Sequence, residues 1–125
     1  MPHSDFAVLI PAYKPGPDFS GLVSDLIRLG VERIVVVDNG SGVWFRARFD
    51  EAAAHPQVRV CRHAINLGKG AALKTGINAI LCDAPDIGVV VTADADGQHA
   101  PEDILAVAHA ASAQLKNTTA KAARK

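Results

Sequence analysis

Four short runs dominated by valine, isoleucine and other apolar residues recur along the chain, at 7–10, 34–37, 58–61 and 89–92. Each is short and rich in Val or Ile, so each reads as a strand rather than a helix. Amphipathic stretches separate them. That alternation predicts repeated strand and helix units over a mostly parallel sheet, an α/β fold of three layers.

The connecting stretches support the same architecture. A first helix is predicted from about Asp18, where the side chain can cap, with Phe19, Leu22, Val23, Leu26 and Ile27 on one face and Gly30 as its stop. Pro11 is read as ending the first strand. A weaker helix is predicted over residues 44–54 and another over about 69–81, its apolar face formed by Leu73, Ile77, Ile80 and Leu81. Pro101 suits a first helical position, opening a last helix with Ile104, Ala108, Ala111 and Leu115 in line. Residues 1–115 make one domain. Residues 116–125 carry four positive charges without apolar periodicity and are read as a disordered, solvated tail, with a membrane-surface anchor as the alternative.

Composition narrows the function classes. Thirteen basic and thirteen acidic side chains cancel, so no global positive field attracts nucleic acid or an anionic membrane. An anionic ligand must be held by local chemistry. Cys61 and Cys82 lack metal-type spacing and are read as reduced packing residues of a cytosolic chain. Residues 1–5 carry no signal-peptide pattern, and no apolar run reaches the roughly 18 residues of a membrane span.

In an open parallel sheet, ligands bind beyond the carboxyl ends of the strands. Every strand here leads into residues able to do chemistry: Pro11-Ala12-Tyr13-Lys14, Asp38-Asn39-Gly40-Ser41, Asn66-Leu67-Gly68-Lys69-Gly70, and Asp94-Ala95-Asp96-Gly97-Gln98-His99. Asp94 and Asp96 repel each other unless a cation lies near, and oxygen ligands suit Mg²⁺ or Mn²⁺, with Gln98 as a further donor. Alternatively, the two carboxylates only satisfy a turn or cap the following helix. Lys69 and the backbone donors ahead of the third helix fit a diphosphate. A solvated lysine between turn glycines explains the same residues. Asp38 and Asn39 can bond a base or ribose, or simply form an Asx turn. Tyr13 can stack on a base or pack on the sheet edge. His99 reads as a polar loop residue.

Three similar patterns fail on spacing. The glycines of 68–73 lack the third position of a dinucleotide fingerprint, where Leu73 stands. An EF-hand needs glycine at His99 and glutamate at Leu105. An aspartyl-nucleophile phosphatase carries its Asp-x-Asp on the first strand.

Four ordered motifs, "VLIPAYKPG", "VVVDNGSG", "HAINLGKGAALKTG" and "VTADADGQHAPEDI", make the chain resemble the nucleotide-sugar-binding half of a family 2 glycosyltransferase of the GT-A fold. Its polyprenyl-phosphate and dolichol-phosphate-mannose-synthase-like branch is the most similar. The resemblance implies that Pro11, Ala12 and Tyr13 line the nucleotide and that Asp38 and Asn39 contact base or ribose. It further implies Lys69 and Gly70 beside the donor, and Asp94 and Asp96 as the Asp-x-Asp pair, with Asp96 and Gln98 nearest an Mg²⁺ or Mn²⁺ ion. Asn39 departs from the usual Asp-Asp-Gly-Ser.

The implied activity is metal-assisted transfer of a sugar from a UDP- or GDP-sugar to a polyprenyl phosphate or another glycan or lipid acceptor. The family domain continues past the Asp-x-Asp helix, so this chain is expected to hold only a truncated, donor-binding half. A catalytically silent nucleotide-binding module that needs a partner chain is the alternative, as is a fragment whose open sheet edge self-associates. The expected location is the cytoplasm, or the inner membrane face through partners or substrate.

Overall fold

The structure, a computed structural model, describes residues 6–123, with side chains described to residue 115; residues 1–5, where no signal pattern was read, and 124–125 lie outside it. The order is β1 (Phe6–Ala12), α1 (Asp18–Arg28), β2 (Ile34–Asn39), a 3₁₀ turn (Val43–Phe45), α2 (Arg46–Ala53), β3 (Val58–His63), α3 (Lys69–Asp83), β4 (Val89–Thr92) and α4 (Pro101–Ala123). All four strands are parallel, in the spatial order β3-β2-β1-β4.

Strand alternation divides the core between the two faces of the sheet. Phe6, Val8 and Ile10 of β1 and Ile34 and Val36 of β2 face α1, α2 and α4. Ala7, Leu9, Val35 and Val37 face α3. The fold is thus the three-layer, Rossmann-like arrangement expected of a GT-A nucleotide-binding half. Full burial of each Val, Leu, Ile or Phe stabilises it by roughly 1.5–3 kcal/mol relative to exposure.

The first two crossovers pass over one face and the third over the other, because α1 and α2 lie opposite α3. Strand order therefore reverses at β1, and the crevice between β1 and β4 is the topological switch point. Pro11 opens that crevice. Val8 donates its N–H towards β2, to Arg33 O at 3.0 Å, so alternation turns the amide position of Pro11 towards β4. Proline has no hydrogen to offer there. The β1–β4 pairing stops at Leu9 and Thr92, with Ala93 N–H donating to Leu9 O at 2.9 Å as its last bond. Towards β2 the strand continues through Ala12, so Pro11 ends only one side of the ladder.

Local signals explain most of the helix boundaries. Gly30, at φ 98°, closes α1 in a Schellman motif: its N–H bonds Ile27 O and the N–H of Val31 bonds Leu26 O, both at 3.0 Å. Asp18 is not the cap expected of it. Pro17 occupies that position and no side chain caps the helix, leaving Asp18 in the first turn, where its charge still suits the dipole.

The buried face of α3 also differs from expectation. Ala72, Gly76, Ala79 and Ile80 meet the sheet, while Ile77 and Leu81 are exposed. A β-carbon on Gly76 would collide with the Leu9 side chain, so the helix lies too close to β1 for large residues. Likewise, Ile104 and Ala108 of α4 are buried, but Leu115 is exposed. The α4 backbone remains helical to Ala123, eight residues into the segment read as a disordered tail. Residues 116–123 contain neither glycine nor proline to stop it. Cys61 packs on the core as expected, whereas Cys82 is exposed, and both are free thiols.

Candidate donor site at the carboxyl ends of the strands

A cleft of about 340 Å³ lies at the switch point, lined by Pro11, Ala12, Tyr13, Asn39, Asn66, Gly68, Lys69 and Asp94. It gathers residues from the ends of all four strands. Of the residues singled out in the sequence, six line it. Asp38, Gly70, Asp96 and Gln98 stand outside its lining, and Asn66 and Gly68, named in the sequence only as part of the loop before the third helix, line it as well.

Asn39 is the keystone. It is buried, 5% exposed, at the end of β2. Its Oδ1 accepts the Leu67 N–H at 3.0 Å and a hydrogen bond from His63 Nδ1 at 2.8 Å. Its Nδ2 donates to Asn66 Oδ1 and Gly68 O, both at 3.2 Å. Asn66 Oδ1 also accepts the Gly68 N–H at 2.8 Å. With the His63 proton on Nδ1, Nε2 is left to accept from Thr75 Oγ1 at 2.7 Å, anchoring the network on α3. The amide in place of the usual second aspartate allows position 39 to donate as well as accept; a carboxylate there would lose both donated bonds.

Asn39→Ala removes the four bonds that Asn39 itself makes, leaves His63 Nδ1 without this partner and opens a gap at a buried position. It is expected to destabilise the fold by about 3 kcal/mol, read as a lowered urea midpoint. A loss under about 0.5 kcal/mol would show that the loop holds its shape without Asn39.

The neighbouring Asp38 is 2% exposed, and both its oxygens have partners. Oδ1 accepts the Ser41 N–H at 2.9 Å, three residues on rather than the two of an Asx turn, and Oδ2 lies 3.4 Å from Arg62 Nε. Ser41 Oγ in turn accepts the Lys14 N–H at 2.8 Å. Gly40 sits so close to the Ile65–Asn66 backbone that a β-carbon would overlap it. The loops after β1, β2 and β3 are knitted into one rim.

On the facing side, Lys69 opens α3. Its helix has Gly68 at the cap position and no capping side chain, so the first-turn amides point their positive end at the cleft. Lys69 Nζ lies 3.8 Å from Asp94 Oδ1, with the lysine well exposed and the aspartate partly so. A pair this open contributes at most about 1 kcal/mol, so either partner is easily drawn to a ligand. Asp94 stands half-buried at the rim and Asp96 is exposed. Asp96 Oδ1 accepts the Gln98 N–H at 3.2 Å, and Gly97, at φ 75°, completes the turn.

Among the described residues no three His, Cys, Asp or Glu side chains gather as a metal cage. The donors present are two carboxylates and an amide on one turn beside a cleft. That set fits Mg²⁺ or Mn²⁺ shared with a phosphate ligand, since such ions take one or two carboxylates and leave positions for phosphate and water. A smaller cavity of about 140 Å³ lies along β4, lined by Val91, Thr92, His99, Asp103, Ile104 and Val107. No helix of the described chain is long and apolar enough to cross a membrane.

Two known proteins are similar to this chain in sequence. An uncharacterized protein of Methanocaldococcus jannaschii is 40% identical over 97 residues, spanning 78% of this chain and 37% of that protein. The UDP-N-acetylglucosamine–dolichyl-phosphate N-acetylglucosaminyltransferase of Methanococcus voltae is 31% identical over 113 residues, spanning 80% of this chain and 44% of that enzyme. The chain thus spans less than half the length of either relative. The family model described as glycosyl transferase family 2 matches residues 7–119, nearly the whole described fold, and the chain belongs to that family.

Proposed function

We propose that the chain binds a nucleotide-sugar donor together with Mg²⁺ or Mn²⁺ and serves transfer of the sugar to a polyprenyl phosphate. The observation that carries this reading is the convergence of all four strand ends on one cleft beside the Asp94–Gln98 turn. The Methanococcus voltae relative, named for a UDP-sugar and a dolichyl phosphate, favours UDP as the first nucleotide to test, with GDP next.

In this reading Pro11, Ala12 and Tyr13 form the wall against which the nucleotide lies. Asn39 holds the Asn66–Gly68 loop in place. Asp38 is assigned to the base or ribose, where it would exchange Arg62, the looser of its two partners, for a ligand hydrogen bond. Lys69 leaves Asp94 for a donor phosphate, while Gly70 and the first-turn amides of α3 supply backbone donors. Asp94, Asp96 and Gln98 would hold the metal, whose chemistry is to neutralise charge developing on the nucleoside diphosphate as it leaves. An acceptor phosphate is already anionic, so its attack asks less of a general base than a hydroxyl would.

Calorimetric titration with UDP and GDP, each with and without Mn²⁺, tests the reading. Metal-dependent binding is expected, and Asp96→Ala should abolish it while leaving the circular dichroism unchanged. Equal affinity in that variant would remove Asp96 from the metal site.

A second reading is a donor-binding module silent without a partner, since the cleft described holds groups for a donor and none assigned to an acceptor. Turnover separates the two. Slow metal-dependent donor hydrolysis, or transfer to a lipid phosphate by the chain alone, supports the enzyme; binding without either supports the module.

A further inference from the structure

Trp44, the one tryptophan of the sequence, is 92% exposed, and Val43 beside it is 68% exposed. Burying such a pair against water would be favourable, and this turn instead presents it. The exposure is built in. Gly42, at φ 92°, starts the 3₁₀ turn, and Phe45 N–H closes it on Gly42 O at 3.1 Å. Phe45 then tucks against the core beneath α1 and α2, and the Arg48 guanidinium lies over its ring at 5.5 Å. Anchored from below, the turn holds Val43 and Trp44 outside the fold.

Cations surround this apex. Arg48 also donates to Pro15 O, tying the turn to the loop after β1, where Lys14 lies over the Tyr13 ring at 5.2 Å. Segments 13–17 and 40–48 together carry Lys14, Arg46 and Arg48 and no carboxylate. The adjoining loop after β3 also exposes Ile65 and Leu67.

We propose that the turn at 43–46 docks the protein on an anionic lipid surface, with Val43 and Trp44 entering the headgroup region and Arg46 and Lys14 meeting lipid phosphates. Indole prefers the boundary between headgroups and acyl chains, and each nearby cation adds attraction to an anionic leaflet. A convex turn topped by an indole needs a deformable partner, whereas a protein partner would have to supply a matching pocket. Two apolar side chains and a few cations give reversible association only. The neutral net charge of the whole chain does not oppose this, because attraction falls off within a Debye length and is decided by the local rim.

Because Trp44 is the sole tryptophan, its emission reports on this turn alone. The full chain would be mixed, without nucleotide, with vesicles of phosphatidylcholine alone or with about 30% phosphatidylglycerol, an anionic fraction able to attract basic side chains. The expected result is a blue-shifted emission and co-sedimentation with the anionic vesicles, much weaker with the neutral ones. Trp44→Ser should lower binding about tenfold, in keeping with loss of a partly inserted aromatic. Arg46→Glu should do the same through charge while suiting the start of α2, so a folding defect would not explain it.

Emission and sedimentation unchanged by either vesicle would overturn the proposal. So would a blue shift that grows with protein concentration without lipid, which would assign the turn to contact with a second copy, or one produced by UDP and Mn²⁺ alone. The vesicle outcomes are read without nucleotide, and the nucleotide titration is read without lipid, so failure of one reading leaves the other standing.

Discussion

Gly40→Ala is expected to destabilise the protein by about 3 kcal/mol and to weaken nucleotide binding with it. Two costs combine. At φ 77° the residue sits in the left-handed region, where a side chain is strained by about 1 kcal/mol or more. The new β-carbon would also overlap the backbone of Ile65 and Asn66, which has no rotamer by which to yield. The loop after β3 must therefore move, at a packing cost of roughly 1–3 kcal/mol. That loop carries Asn66 and Gly68 and leads into Lys69, so the displacement is felt in the cleft. Urea unfolding followed by UDP titration of the variant checks both effects. A midpoint close to that of the parent chain would mean that the two loops part freely, and would undo the description of the rim as one knitted surface.

Gly76→Val acts on the opposite face of the sheet. Leu9, 0% exposed, lies directly beneath Gly76, and Ala72, Ala79 and Ile80 close the space around it. Valine gains a few tenths of a kcal/mol of helix propensity over glycine. It adds three carbons where none fits, and α3 must lift from β1 at a net cost of about 3 kcal/mol. The double variant with Leu9→Ala separates this cause from a general weakening of the helix. Leu9→Ala alone should cost roughly 2–5 kcal/mol, and the pair should cost at least about 1 kcal/mol less than the sum, because the cavity accepts the valine. Strict additivity would show that Gly76 does not set the distance between helix and sheet.

Whereas β3, with Arg59 and Arg62 exposed, was marked only by its valines, β1 and β2 were legible because burial on both faces forces their composition. The same logic misplaced their ends: Pro11 looked like a stop and Asp38 and Asn39 looked like loop, yet each lies within its strand and is paired there. The face of α3 was misread for a related reason. Large apolar residues were taken as the buried set, but the close approach over Leu9 reserves that face for Ala72, Gly76 and Ala79; the row of small residues was the available signal. In the cleft, strand-end position together with the family resemblance pointed to Pro11, Ala12, Tyr13, Asn39, Lys69 and Asp94. What escaped was the network through Asn39. Its partners lie 24 to 29 residues away, and no local pattern announces which asparagine will receive them.

The loop that carries Lys69 has no capping side chain from its own helix and borrows its order from Asn39. Its N-terminal end is continuous with β3, an edge strand paired on one side only. Opening of β3 therefore withdraws His63 from Asn39 and loosens Lys69 in the same event, which makes the edge strand and the phosphate-side loop one cooperative unit. By reciprocity, a ligand that holds Lys69 must also slow the fraying of β3, so occupancy of the cleft is written into the protection of amides at the far edge of the sheet.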